Sequence, residues 1–249
     1  MSESRPIVQN LAAAHPTTTA TTLAFTAGFV DTLGFILLGG VFTAHVTGNF
    51  VLIGATLATS PDGVIAKLST LPAFFAAVVL VTAVATAVTK DGSNRALALI
   101  LGLEAVFLAG FLALGLSAKP LIEPDAALTI LTAMTGAMAM GLQNAAARLY
   151  LAQLPPSTMM TGNVTQIGID IADLILRRTP PEGRGQVRTR LGRMSWTVLS
   201  FASGALLGAL AAIRIGFWGI GLPIVLAGVL CVVTALAPPA LSPTTPAKA

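Results

Sequence analysis

Apolar residues in this chain come in long, nearly unbroken runs, and polar residues cluster at the junctions between them. Six runs, roughly 22–41, 71–89, 96–117, 126–147, 195–213 and 216–236, approach the roughly 20 residues that cross a hydrocarbon core. Two shorter runs, roughly 47–59 and 160–176, each open on the same tripeptide: Thr47, Gly48 and Asn49 in HVTGNFVLIG, and Thr161, Gly162 and Asn163 in MMTGNVTQIG. The pattern predicts an all-α protein, a polytopic transmembrane helix bundle of about six full spans plus two short helices.

The order of runs is long, short, long, long, and then the same again. The first long run carries GFVD (Gly28 to Asp31) and its counterpart carries GLQN (Gly141 to Asn144). From Asp31 to Thr47 is 16 residues, and from Asn144 to Thr161 is 17. Two matched landmarks at nearly matched spacing predict two internal repeats, over 22–118 and 119–237. A disordered N-terminal arm (1–21) and a Pro-rich disordered tail (238–249) flank them. The hinge is expected near SAKPLIEPDA, residues 117–126.

Composition narrows the class. Of 249 residues, 55% are hydrophobic and 10% charged, with mean hydropathy +0.85, whereas soluble domains carry about 25% charged residues. The net charge of +4 does not point to nucleic acid, because six of the 14 Lys and Arg lie between Arg177 and Arg193. In a polytopic protein such a cluster predicts a cytoplasmic loop, here 177–194. The short runs decide the symmetry: if they cross, the halves run parallel in eight spans, and if they enter and leave on one face, the halves are inverted in six. Fixing the cluster inside, eight spans put ten basic residues inside and four outside, and six spans put eleven and three. Charge bias does not choose. The polar face of the second short run, Gln166, Asp170 and Asp173, favours short helices that do not face lipid all round.

Enzyme signatures are absent: there is no G-x-x-x-x-G-K-[ST], H-E-x-x-H or G-x-S-x-G. Two histidines and the single Cys231 offer no conventional metal site, and no cofactor is expected.

Thr-Gly-Asn is helix-initiation chemistry. Thr or Asn can accept a backbone N–H, Gly permits a tight turn, and the free N–H groups behind favour an anionic or polar ligand. Asp31 lies near the middle of the first span, where an acid must be paired, protonated or beside a cavity. It is either a structural hydrogen-bonding group or the ionisable element of a polar site, and Gln143 and Asn144 supply uncharged polarity at the matching place. Glu104 is likewise mid-span, between Gly102 and Gly110. His45 is a titratable neighbour of the first tripeptide, and Arg148 is either a span-end anchor or an anion ligand. Gly204 and Gly208 form a G-x-x-x-G for close packing within the chain or between subunits. Trp196 and Trp218 sit where interfacial anchors belong.

The stretches GFVDTLGFILLGGVFTAHVTGNFVLIG (28–54) and GLQNAAARLYLAQLPPSTMMTGNVTQIG (141–168) resemble the YoaK-like family of bacterial inner-membrane proteins, which is labelled by a domain of unknown function. The joint pattern is G-x-x-D, Phe and Thr-Gly-Asn, then G-x-Q-N and Thr-Gly, and the likeness spans roughly residues 20–235. It implies a plasma-membrane protein of about six spans and supplies neither substrate nor catalytic residues.

The expected function is a secondary transporter or channel-like carrier of a small polar or anionic solute. Its site would lie between the repeats, with proton coupling through Asp31 and ligands from Thr47, Gly48, Asn49, Glu104, Gln143, Asn144, Thr161, Gly162 and Asn163. The bilayer, and a second copy of the chain, are the expected partners. The alternative is a non-transporting scaffold, sensor or partner subunit.

Overall fold

The computed structural model describes residues 15–59, 62–88, 93–118 and 123–237. The first 14 residues of the expected arm, the tail from 238 and part of the 117–126 hinge lie outside these residues. Among the described residues every regular element is a helix: α1 (Pro16–Leu37), α2 (Gly48–Thr59), α3 (Val64–Val88), α4 (Ser93–Ser117), α5 (Ala127–Tyr150), α6 (Met160–Ile175), α7 (Arg184–Ile215) and α8 (Gly221–Leu236). Short 3-10 turns at Pro181–Gly183 and Gly216–Ile220 lead into α7 and α8. Four stretches, Thr17–Leu37, Val64–Thr86, Asn94–Ser117 and Pro181–Leu236, are long and apolar enough to cross a membrane, and the last contains both α7 and α8. The 24-residue α5 is long enough but more polar.

Boundaries depart from the apolar runs where polar groups intervene. The first helix begins at Pro16, inside the expected arm, because proline's fixed φ suits a first helical turn. It stops at Leu37 rather than 41. Gly39 and Gly40 adopt φ of 66° and 84°, and the Gly40 N–H bonds the Phe35 carbonyl at 2.8 Å, a glycine-closed C-terminus. The third helix starts at Val64, well before the run at 71. Asp125 reaches across to the N–H groups of Gly63 (3.0 Å) and Ala66 (2.8 Å), satisfying donors a helix start leaves open.

Glycine contacts give the helix directions. Gly28 abuts the Phe201 backbone, Gly204 that of Phe25 and Gly208 that of Phe29, so α1 and α7 run parallel. The G-x-x-x-G is thereby used inside the chain. A Cβ on Gly141 would come 2.9 Å from the Phe74 carbonyl oxygen, and with the Asp125 bonds this sets α5 parallel to α3. Leu97, Ile100 and Leu101 share one core cluster with Ala145, Ala146 and Tyr150, whereas Leu108 and Phe111 share another with Ala133 and Ala139, so α4 is antiparallel to α5. Cys231 beside Gly102, and Phe217 beside Gly115, make α4 antiparallel to α8. Gly219 meets both Leu33 and Ala211. One end of the bundle therefore gathers the C-termini of α1, α4 and α7 with the N-termini of α3, α5 and α8. We call it the far end, and the opposite one, where the basic segment before α7 lies, the near end.

The two short helices fall below spanning length. At 12 and 16 residues they extend about 18 and 24 Å at 1.5 Å per residue, less than the roughly 30 Å core. Asn49 at the start of α2 bonds Thr70, about two turns inside α3, and α2 then returns toward the far end where α3 begins. The α6 helix returns to the near end, held to α7 by Arg190, which grips the fully buried Asp170 at 2.6 and 2.9 Å. Gln166 donates to the same carboxylate at 2.8 Å. The polar face of α6 thus meets protein, as its residue types required.

Candidate functional site

The two short helices are reached through irregular peptides, 38–47 and 151–159, which double back into the bundle. Each is held by the side chains flagged in the sequence. Asp31, only 3% exposed on α1, accepts the N–H groups of Thr43 (2.8 Å) and Ala44 (2.7 Å), and its Oδ2 meets His45 Nδ1 at 2.6 Å. On α5, Asn144 donates to Thr158 Oγ1 at 2.6 Å, and Gln143 donates to Ser157 Oγ and to the Leu23 carbonyl, both at 2.9 Å. In each half a polar side chain of a long helix pins the peptide leading into the next short helix.

Thr-Gly-Asn does more than begin those helices. Asn49 and Asn163 sit in the first turn and reach back seven residues. Asn49 accepts the Phe42 N–H (2.9 Å) and donates to the Phe42 carbonyl (2.8 Å), and Asn163 donates to the Pro156 carbonyl (2.9 Å). Pro156 has no N–H to return, so the second clasp is one-sided. The expected side-chain cap is not made on α6, whose own start has no side-chain hydrogen bond. The first turn of α2 closes instead through backbone, Gly48 N–H to the His45 carbonyl at 2.7 Å.

Residues of both tripeptides line one cavity. A cavity of ≈ 510 Å³ is lined by Thr47 from one and by Thr161 and Gly162 from the other, with His45, Asn144 and Arg148 in its wall. Phe74 and Val78, midway along α3, form an apolar side. Two further cavities follow toward the near end: one of ≈ 350 Å³ shares Asn144, Arg148, Thr158 and Met159 with the first, and one of ≈ 780 Å³ shares Ala152, Leu154 and Pro156 with the second and reaches Arg190 and Arg193.

Of the residues singled out from sequence, Thr47, Asn144, Thr161 and Gly162 line the central cavity. Asp31 stands behind it, separated by His45, and Asn49, Asn163 and Gln143 are spent on the re-entrant peptides. Gly48 packs under the Phe42 ring. Glu104 is elsewhere: it is fully buried on α4, and neither carboxyl oxygen has a hydrogen-bond partner. Sequence reasoning missed Thr158 and Met159. The register that pairs Asn49 with Asn163 also pairs Ala44 and His45 with them, which was the available signal.

His45 lies in the connection between α1 and α2, outside the spanning helices. Its pKa is raised, chiefly by the hydrogen bond to Asp31 and further by that carboxylate's charge, against the opposing effect of burial. Edge contact with Phe201 of α7 fixes the ring's other side.

Together these features define a multi-pass helical membrane protein with a half-open, mainly apolar cavity that carries a few polar groups. The chain belongs to the family described as a protein of unknown function (DUF1275), whose model matches residues 19–233. It is also 33% identical over 162 residues to the UPF0700 transmembrane protein YoaK of Bacillus subtilis (strain 168), covering 65% of this chain and 69% of that one. No solved structure matches the chain.

Proposed function

We propose that the protein is a secondary carrier of a small polar solute in the bacterial plasma membrane, built from two inverted three-span repeats. The observation that carries this reading is the meeting of both Thr-Gly-Asn helix starts in one cavity, reached from opposite ends of the bundle. In the first repeat α1, α3 and α4 span while α2 dips from the far end. In the second, α5, α7 and α8 span in the reverse sense while α6 dips from the near end. Broken helices meeting at a repeat interface are how many secondary transporters build a midplane site. With the basic 177–194 loop cytoplasmic, the near end faces the cytoplasm, and among the described residues eight Lys and Arg fall on that side against two, Lys67 and Arg214, at the far end.

The Asp31–His45 pair is the proton-linked element in this scheme. Asp31 holds the re-entrant peptide, and His45, half-exposed into the cavity wall, is the member that can sense solute and pH. The near-end peptide, pinned by uncharged bonds and flanked by cavities, is the more open of the two.

Uptake of a panel of small solutes into proteoliposomes, with and without a pH gradient, tests the function. Thiol labelling of Asp62→Cys and Glu182→Cys from outside intact cells tests the topology, and six inverted spans require that only the first is reached. If no solute moves and none raises thermal stability, the carrier reading falls and a scaffold or partner subunit takes its place.

A further inference from the structure

Taking the carrier reading as its base, we infer that the solute is a small oxyanion, carboxylate, phosphate or sulfate in type, admitted from the near end and gripped by Arg148. The charge around the cavities points one way. No Asp or Glu lines the central cavity, and Arg148 is its one permanent cation. Arg148 makes no ion pair among the described residues; its Nη2 donates only to the Met159 thioether at 3.2 Å, a weak acceptor. A guanidinium's fork of donors matches the planar or tetrahedral oxygens of an oxyanion. Most of that fork is open here, on a wall shared by the central cavity and its neighbour.

The rest of the wall fits the same ligand. Thr47, Thr158, Thr161 and Asn144 offer neutral polar groups around Arg148, and the apolar side at Phe74 and Val78 limits water. A cationic solute would meet Arg148 with no lining carboxylate to offset the repulsion, because Asp31 is held behind His45. The outermost cavity presents Arg193, with Arg190 already engaged by Asp170 and Glu182 as the one acid, so the entrance does not repel an anion. A lipid phosphate shares this chemistry, and the phosphatidylglycerol arm of the test separates it from a soluble anion.

The test uses full-length protein in phosphatidylcholine proteoliposomes, with labelled sulfate, phosphate and succinate as probes, urea as a neutral control and choline as a cationic one. At least one anion should accumulate above empty vesicles, with uptake falling tenfold or more in Arg148→Gln and partly kept in Arg148→Lys. To separate charge from folding, Arg148→Cys on a Cys231→Ala background is modified by a cationic or an anionic thiosulfonate, and only the cationic adduct should recover uptake. Anion uptake indifferent to every Arg148 change overturns the assignment of the residue. Uptake of urea or choline alone overturns the anion class and leaves the carrier standing. Stabilisation by phosphatidylglycerol, with no effect of the soluble anions, makes Arg148 a lipid contact and overturns the proposal. No movement of any probe and no stabilisation by any of them removes the carrier reading itself, and the anion with it.

Discussion

Asp31 and His45 meet at 2.6 Å, carboxylate Oδ2 to ring Nδ1, across the turn that sends the chain back into the bundle. The same carboxylate takes two backbone N–H groups from the returning peptide, at 2.8 and 2.7 Å. A buried acid in a membrane helix is thus neither idle nor free: it is the anchor of a re-entrant segment, with histidine placed between it and the cavity. Removing its charge should loosen the segment. Asp31→Ala, leaving the Thr43 and Ala44 donors open, should cost about 3–5 kcal/mol, as breaking buried charged pairs does. Asp31→Asn, which keeps one acceptor, should cost less, about 1–3 kcal/mol. Thermal unfolding in detergent measures both, and equal stability of the three proteins would contradict the anchoring role.

The pH dependence follows from the raised pKa of His45. A group whose pKa is higher folded than unfolded stabilises fully below its unfolded value, about 6.5, and that contribution fades as pH rises through the folded value. The melting temperature should therefore fall on going from acidic to mildly alkaline buffer. His45→Gln should lack this step. A wild-type profile that rises over the same window would reverse the sign and refute the pairing.

Gly204 and Gly208 lie against the backbone of α1, where a Cβ would overlap the Phe25 and Phe29 carbonyl oxygens. Because backbone cannot yield as a flexible side chain does, Gly204→Leu and Gly208→Leu should prevent assembly, and each Ala substitution should cost at least the roughly 1–3 kcal/mol of overpacking. Gly54→Ala and Gly168→Ala, where a Cβ meets nothing within 4 Å, should be neutral or slightly stabilising. Size-exclusion of folded variants checks a corollary: the G-x-x-x-G is occupied within the chain, so oligomeric state should not respond to it.

The Asp170–Arg190 pair is asymmetric, with the carboxylate side chain fully buried and the guanidinium half exposed. Arg190→Ala strands a buried charge and should cost about 2–4 kcal/mol. Asp170→Asn leaves only an exposed cation and should cost about 1 kcal/mol after allowing for solvent screening. A double-mutant cycle on thermal stability reads the difference, and equal costs would show that burial of the carboxylate is not what matters.

Glu104 carries no hydrogen bond from either oxygen despite complete burial. Apolar groups of similar volume often improve on such a group, so Glu104→Met should raise the melting temperature. If uptake survives that change, Glu104 lies outside the transport cycle; if uptake is lost while stability rises, the carboxyl is functional.

The apolar runs by themselves determined the helices, because a chain in lipid must satisfy every backbone group within its own helix. They left open whether the runs beginning at Thr47 and Thr161 cross, but the matched spacing of GFVD and GLQN marked which polar residues belonged to corresponding places. Gly28 and Gly141 were legible as landmarks, but not as the two contact points through which α1 meets α7 and α5 meets α3. Charge counts differing by one residue could not orient the short helices. That was decided by long-range bonds, Asn49 to Thr70 and Asp125 to Gly63, between residues whose separation carries no local signal. The same holds for the site. Asp31 stood out because an acid is costly at depth, whereas its engagement by Thr43, Ala44 and His45 depends on how the chain turns at Gly39 and Gly40. Arg148 read as either a span-end anchor or an anion ligand, and only packing could place it in a cavity wall with Thr161 and no lining acid, since a cavity is a property of several helices at once.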